Sequence, residues 1–171
     1  LSTIDTALLL GGVLACREYF SGSTPRDSTI RALADSIYFR VDWQWAMDGG
    51  ETMSMGWHPE PQPNHTPGGF IVSRWNGYNE ANLLYALAIG SPTHPISPAA
   101  WTAWTRTYKW DTWQGQQYVQ FAPLFGHQYS HVWIDFRGIR DAYMREKGLD
   151  YFENSRRATL AHRQYAIANP G

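Results

Sequence analysis

One cysteine stands in 171 residues, so no internal disulfide can form, and a small disulfide-stapled secreted scaffold is disfavoured. Charge is scarce as well: 17% of the residues carry it, with 14 basic against 15 acidic. Without a basic excess, nucleic-acid binding by charge is not expected. The apolar run Ala7–Cys16 is about ten residues, half of what spans a bilayer. It also lacks the positive flank of a signal peptide, so no membrane insertion is expected. No Gly-rich phosphate loop follows a strand, and no Gly-x-Ser-x-Gly elbow occurs, which leaves a nucleotide enzyme and a serine hydrolase unsupported. Internal repeats, heptads and low-complexity stretches are missing too.

Aromatic side chains are abundant instead, at 15% with nine Trp and ten Tyr. A disordered tail does not look like this. Trp and Tyr join a large apolar face to a polar tip, which suits a core or a sugar-binding cleft.

The pattern is helical. Ser2 to Asp5 reads as a capping box opening a helix to about Phe20, apolar nearly all round and expected to be buried on most sides, with Cys16 an inert core thiol. A second helix, capped by Asp27 or Ser28, carries Ile30, Leu33, Ala34, Ile37, Tyr38 and Val41 on one stripe. Residues 48–76 are punctuated by Pro and Gly and read as a long functional loop, with a short hairpin pairing Met53–Trp57 with Phe70–Arg74. Asn64-His65-Thr66 is a weak glycosylation sequon. A third helix is expected from about Tyr78 to Ile89 and a fourth after Ser97-Pro98. Residues 109–125 read as irregular or β. A fifth helix runs from near His127 to Lys147, with a candidate break at Gly138, and a sixth follows the capping box Asp150–Glu153 to about Ala168. About six helices, alternately apolar and one-sided, predict an all-α fold of two concentric layers.

Two carboxylates stand at helix starts. Glu80 lies among Trp75, Tyr78 and Tyr85, where desolvation raises a carboxyl pKa against the pull of the helix dipole. A raised carboxyl suits a general acid, while a plain helix-start acid fits as well. Asp5 is more simply part of its cap. Two opposed carboxyls flanking a bond are what glycoside hydrolysis requires. His127, His131 and Asp135 fall at i, i+4 and i+8, a spacing suited to a metal, but the Glu of a zincin is missing. Histidines in a polar cleft beside Tyr129 and Trp133 are the favoured reading, and no metal or other cofactor is expected. Arg156, Arg157 and Glu153 read as a solvated, ion-paired face, and Asn154 as a cap or ligand contact.

Longer motifs carry a family likeness: Ser2–Ala7, Arg40-Val-Asp-Trp43, Met55-Gly-Trp57, Gly77-Tyr-Asn-Glu-Ala81, Gly90–Pro95, Pro123–His131, Trp133–Arg137 and Tyr151–Arg156. Together they resemble the bacterial glycoamylase-like domain, a group that includes endo-β-1,2-glucanases and has a relative within cyclic β-1,2-glucan synthases. The resemblance implies an (α/α)6 toroid, with residues 1–171 making roughly half of it and the remaining helices following Gly171. It implies hydrolysis of a β-linked glucan, most simply β-1,2-glucan, by inversion, in a periplasmic or secreted protein. Glu80 matches the position of the family's general acid, and Asp5 an acidic position in the cleft. Trp75, Tyr78, Asn79, His127, Tyr129 and His131 match positions expected to bind sugar. The second carboxylate is Asp5 or a residue beyond Gly171. A non-catalytic sugar-binding toroid and a transglycosylating domain of a glucan synthase stay open as rivals, and an oligo- or polysaccharide is the expected partner in every case.

Overall fold

A computed structural model describes residues 1–61 and 68–170, and the sequon Asn64–Thr66 lies outside them. The chain is mostly helical and divides into two compact units.

The first unit holds residues 1–75 and 82–103. Helix α1 spans Thr3–Tyr19, with the Ser2 hydroxyl accepting the Asp5 N–H. Helix α2 spans Pro25–Phe39. Its cap is Thr24, not Asp27 or Ser28: Thr24 and Asp27 close a reciprocal capping box with Pro25 in the first turn. Helix α1 packs on α2 and on α4 (Asn82–Ile89), burying Ala7, Leu10 and Gly11. The expectation that α1 is buried on most sides does not hold. Leu9 is 63% exposed and Cys16 is exposed rather than in the core. They border an open apolar hollow with Ile30, Leu33 and Ile37 of α2.

The expected hairpin is present. Strands β1 (Trp57–His58) and β2 (Gly69–Phe70) pair antiparallel with Trp57 opposite Phe70, and an isolated bridge sets Ser54 opposite Arg74. Arg74 organises the preceding loop, its guanidinium donating to the carbonyls of Met47, Asp48 and Thr52. Such charge-assisted bonds give a loop without regular structure a fixed shape. Tyr85 of α4 donates to the Trp75 carbonyl at 3.1 Å and accepts the Met53 N–H at 3.1 Å. Burial pushes its phenol up to about 12. A one-turn helix α3 (Trp43–Ala46), capped by Asp42, precedes the loop, and α5 (Ala99–Thr105) follows Pro98.

The second unit holds residues 76–81 and those from 104 onward. Strands β3 (Trp110–Trp113) and β4 (Gln116–Val119) form a second hairpin. Its two-residue turn puts Gln114 at φ +49° and Gly115 at φ +73°, as the twist of a tight hairpin requires. The expected fifth helix does not form ahead of its break at Gly138. In its place come two short 3-10 turns, Leu124–His127 and Tyr129–Val132, an irregular stretch, and then α6 (Ala142–Lys147). The reason is local competition for the backbone. The Asp135 carboxylate takes the Arg137 N–H and guanidinium, Gly138 turns left-handed at φ +77°, and Asp141 caps Met144. Helix α7 (Tyr151–Ala168) starts at Asp150, which accepts the Glu153 N–H as its capping box predicts. Asn154 accepts the Val119 N–H at 2.8 Å, joining α7 to β4. No helix among the described residues is long and apolar enough to cross a membrane.

Candidate functional site

Six residues, Asn76–Ala81, form a pinned turn in the second unit. Gly77 sits at φ +70°, which favours glycine. Its N–H donates to Thr107 Oγ1 at 2.6 Å, and its carbonyl accepts the Trp104 indole N–H at 2.6 Å. Asn79 is buried and works on the backbone: Oδ1 accepts the Ala81 N–H, and Nδ2 donates to the carbonyls of Asn76 and Gly77. This Asx arrangement fixes the peptide that carries Glu80. From the other side the Ser130 hydroxyl donates to the Glu80 carbonyl at 2.8 Å.

Glu80 therefore stands in a turn two residues ahead of α4, not on the helix as the sequence predicts. It is half-buried, and its Oε2 is buried with no hydrogen-bond partner among the described residues. Burial raises its pKa above the ordinary glutamate value, opposed only by its own backbone N–H.

Tyr78 is fully buried between rings. It stacks on His127 at 4.7 Å and 24°, with Trp104 at 6.5 Å and Tyr151 at 6.2 Å nearly parallel to it. Its hydroxyl lies 3.4 Å from Ser155 Oγ, which also meets His131 Nε2 at 3.0 Å. His127 is 1% exposed. Burial pushes its imidazole down to about 4, against a weaker opposing pull from the Phe121 backbone, and neither ring nitrogen closes a hydrogen bond. Burial lowers His131 too, with Asp135 opposing. His127, His131, Gln128, Phe152, Ser155 and Arg156 line a cavity of about 320 Å³. That is within the usual range for small-ligand pockets, and it mixes an aromatic wall with few polar groups. Tyr129 is 46% exposed, its ring edge-on to Phe125 at 5.5 Å, so one face is open for stacking.

The chain thus gathers Tyr78, Asn79, Glu80, His127, Tyr129 and His131 in one unit. Trp75 and Asp5 belong to the other. Trp75 is buried there and donates its indole N–H to Thr3 Oγ1 at 2.9 Å. Asp5 is exposed in the first turn of α1. The metal spacing dissolves with the fifth helix: Asp135 is exposed and bound to Arg137, which holds its carboxyl down at about 2. No group of three or more His, Cys, Asp or Glu among the described residues is placed to hold a metal. Glu153 pairs with Arg156 and Arg157 as the charge pattern predicts. Sequence reasoning missed Ser130, which holds the Glu80 carbonyl, and Ser155, which meets Tyr78 and His131. Ser155 had a signal, because Tyr151, Asn154, Ser155, Ala158 and Ala161 make a stripe on the buried face of α7. Ser130 had none.

The depressed imidazole of His127 has a thermodynamic consequence. The folded state resists protonating it while the unfolded chain binds that proton below its ordinary value near 6.5. Stability is therefore complete above about pH 6.5 and falls as pH drops toward 4, by on the order of 3 kcal/mol. His131 adds in the same direction and Glu80 opposes. His127→Phe keeps the ring stack and is expected to flatten this slope in thermal melts between pH 7 and 4; an unchanged slope would place the proton uptake elsewhere.

Residues 72–171 match the family model described as "Putative glucoamylase". A curated exo beta-1,2-glucooligosaccharide sophorohydrolase (non-reducing end) from Parabacteroides distasonis is 26% identical over 98% of this chain and 26% of its own length. The solved endo-beta-1,2-glucanase of Chitinophaga pinensis, in complex with sophorotriose and glucose, superposes with a TM-score of 0.79 at 26% identity, over 99% of this chain and 41% of that one. A solved protein from Bacteroides caccae ATCC 43185, given the same description as the family model, has a TM-score of 0.81 at 27% identity, over 99% and 41%. The chain spans about a quarter of the curated relative's length and about two-fifths of the solved ones.

Proposed function

The chain belongs to the glycoamylase family, and from that premise we propose that it is part of a glycoside hydrolase that cleaves a β-linked glucan, with β-1,2-glucan as its substrate. The observation that carries the mechanism is Glu80, a half-buried carboxyl with a raised pKa and a bare Oε2 on a backbone clamped from both sides. Such a group holds its proton to a higher pH than an exposed glutamate and gives it to a glycosidic oxygen as the bond breaks. A second carboxylate activates water on the opposite face of the sugar ring, which inverts the anomeric centre. His127, His131 and Ser155 offer neutral hydrogen bonds to hydroxyls, and Tyr129 an open ring face. The (α/α)6 toroid and export to the periplasm belong to the same reading, on family resemblance.

Linear β-1,2-glucan incubated with the protein and followed by reducing-end release tests this. Short oligosaccharides are expected. Release from none of a panel of β-glucans, with sugar affinity retained, would turn the reading to a binding module. Cyclic or lengthened products would turn it to a transglycosylase.

A further inference from the structure

A second cavity, of about 350 Å³, lies in the first unit beside the turn between α2 and α3, and no candidate site residue lines it. Its wall is built by Arg40, Asp42, Trp43 and Trp45, with Thr3 and Thr6 of α1. We propose that this cavity binds a glucosyl ring of the substrate, with Trp45 as the stacking platform and Trp43 and Asp42 as hydrogen-bonding partners. The assignment rests on the glucan reading and gives it a second sugar-binding locus.

The cavity is at the small end of the range for ligand pockets, which suits one sugar unit rather than a long chain. Trp45 is 44% exposed, yet it is braced by Phe70 at 4.5 Å and Trp57 at 5.9 Å. A braced aromatic ring loses little freedom when the C–H face of a sugar covers it. Trp43 is 1% exposed, and its indole N–H is buried without an acceptor among the described residues. An unmet buried donor is costly, and a sugar hydroxyl would supply the acceptor. Asp42 spends Oδ1 on the Trp45 N–H at 2.8 Å, and its remaining lone pairs can accept hydroxyl protons. The exposed guanidinium of Arg40 forms no ion pair among the described residues. The charged side chains of the wall are one cation and one anion, a balance that fits a neutral, hydroxyl-rich ligand better than an acid or an amine.

Sophorose, the β-1,2-linked glucose disaccharide, is the probe, titrated by calorimetry into the protein and two variants. Trp45→Ala removes the platform from an exposed position and is expected to weaken binding about tenfold and raise KM for β-1,2-glucan. Asp42→Asn keeps a good helix cap, so melting should stay as in the wild type while affinity falls. Wild-type affinity in both variants, with glucan hydrolysis intact, would overturn the pocket and leave the proposed function standing. Sophorose binding that depends on Trp45 in a protein that releases no reducing ends would support the pocket and sink the hydrolase. A protein that neither binds sophorose nor cleaves any β-glucan would overturn both.

Discussion

Glu80→Gln is expected to cost about 10²–10⁴-fold in kcat on β-1,2-glucan. The amide keeps the shape of the carboxyl and lacks the proton. The turn beneath it is held through backbone groups by Asn79 and by Ser130, so the variant should bind oligosaccharide much as the wild type does. Loss in kcat without loss in affinity separates a proton donor from a binding contact. The pH dependence goes further. Burial raises the Glu80 pKa, so the acid form persists to higher pH than on an exposed glutamate, and kcat falls as pH rises through that value. That alkaline limb should disappear from the residual rate of the variant. Stability carries the opposite sign. A carboxyl whose folded-state pKa is raised binds its proton more tightly in the native state, so its stabilisation is complete below the unfolded pKa and lost as pH rises through the folded one. Gln has no such charge to desolvate, so the variant should melt no lower than the wild type at pH 8. An enzyme unimpaired by Glu80→Gln would remove the residue from the mechanism.

Why Glu80 was legible and its supports were not follows from range. Its desolvation shows in the sequence because Trp75, Tyr78 and Tyr85 all stand within five positions of it. The hairpin between Met53–Trp57 and Phe70–Arg74 shows because apolar and turn residues alternate locally, and Trp57 does face Phe70. The cap at Asp150 is likewise a four-residue fact. Ser130 meets Glu80 across fifty positions, and a lone serine has no period to announce it. The stretch 127–141 misleads for another reason. Its apolar spacing satisfies a helix, but Asp135 and Asp141 each take a backbone N–H and Gly138 turns left-handed between them, and three such events divide the segment. Periodicity registers side-chain burial and is blind to who holds the N–H groups. The exposed Leu9 and Cys16 show the converse limit, since an apolar pattern states what a helix can cover and not which partner covers it.

Tyr78 is where site and packing are the same object. Tyr78→Ala is expected to destabilise by about 3–5 kcal/mol, the usual cost of deleting a buried aromatic ring. For a chain of this size that lowers the melting temperature by roughly 10 °C. The ring touches His127, Trp104, Tyr108 and Tyr151, so the hole cannot close by moving any one of them. Tyr78→Phe separates packing from polarity. It keeps the stack and gives up a long 3.4 Å contact with Ser155, which should cost no more than about 1 kcal/mol. If Phe proved as damaging as Ala, the hydroxyl rather than the stack would hold the unit together. The alanine variant also tests the account of His127. Its imidazole is held neutral by burial, and the nearest aromatic cover is Tyr78, at 4.7 Å. Water admitted to that face would let the imidazole protonate at a higher pH, closer to its value in the unfolded chain. The acid-side loss of stability would then shrink in Tyr78→Ala and persist in Tyr78→Phe, and melts at pH 7 and pH 5 of the two variants decide it.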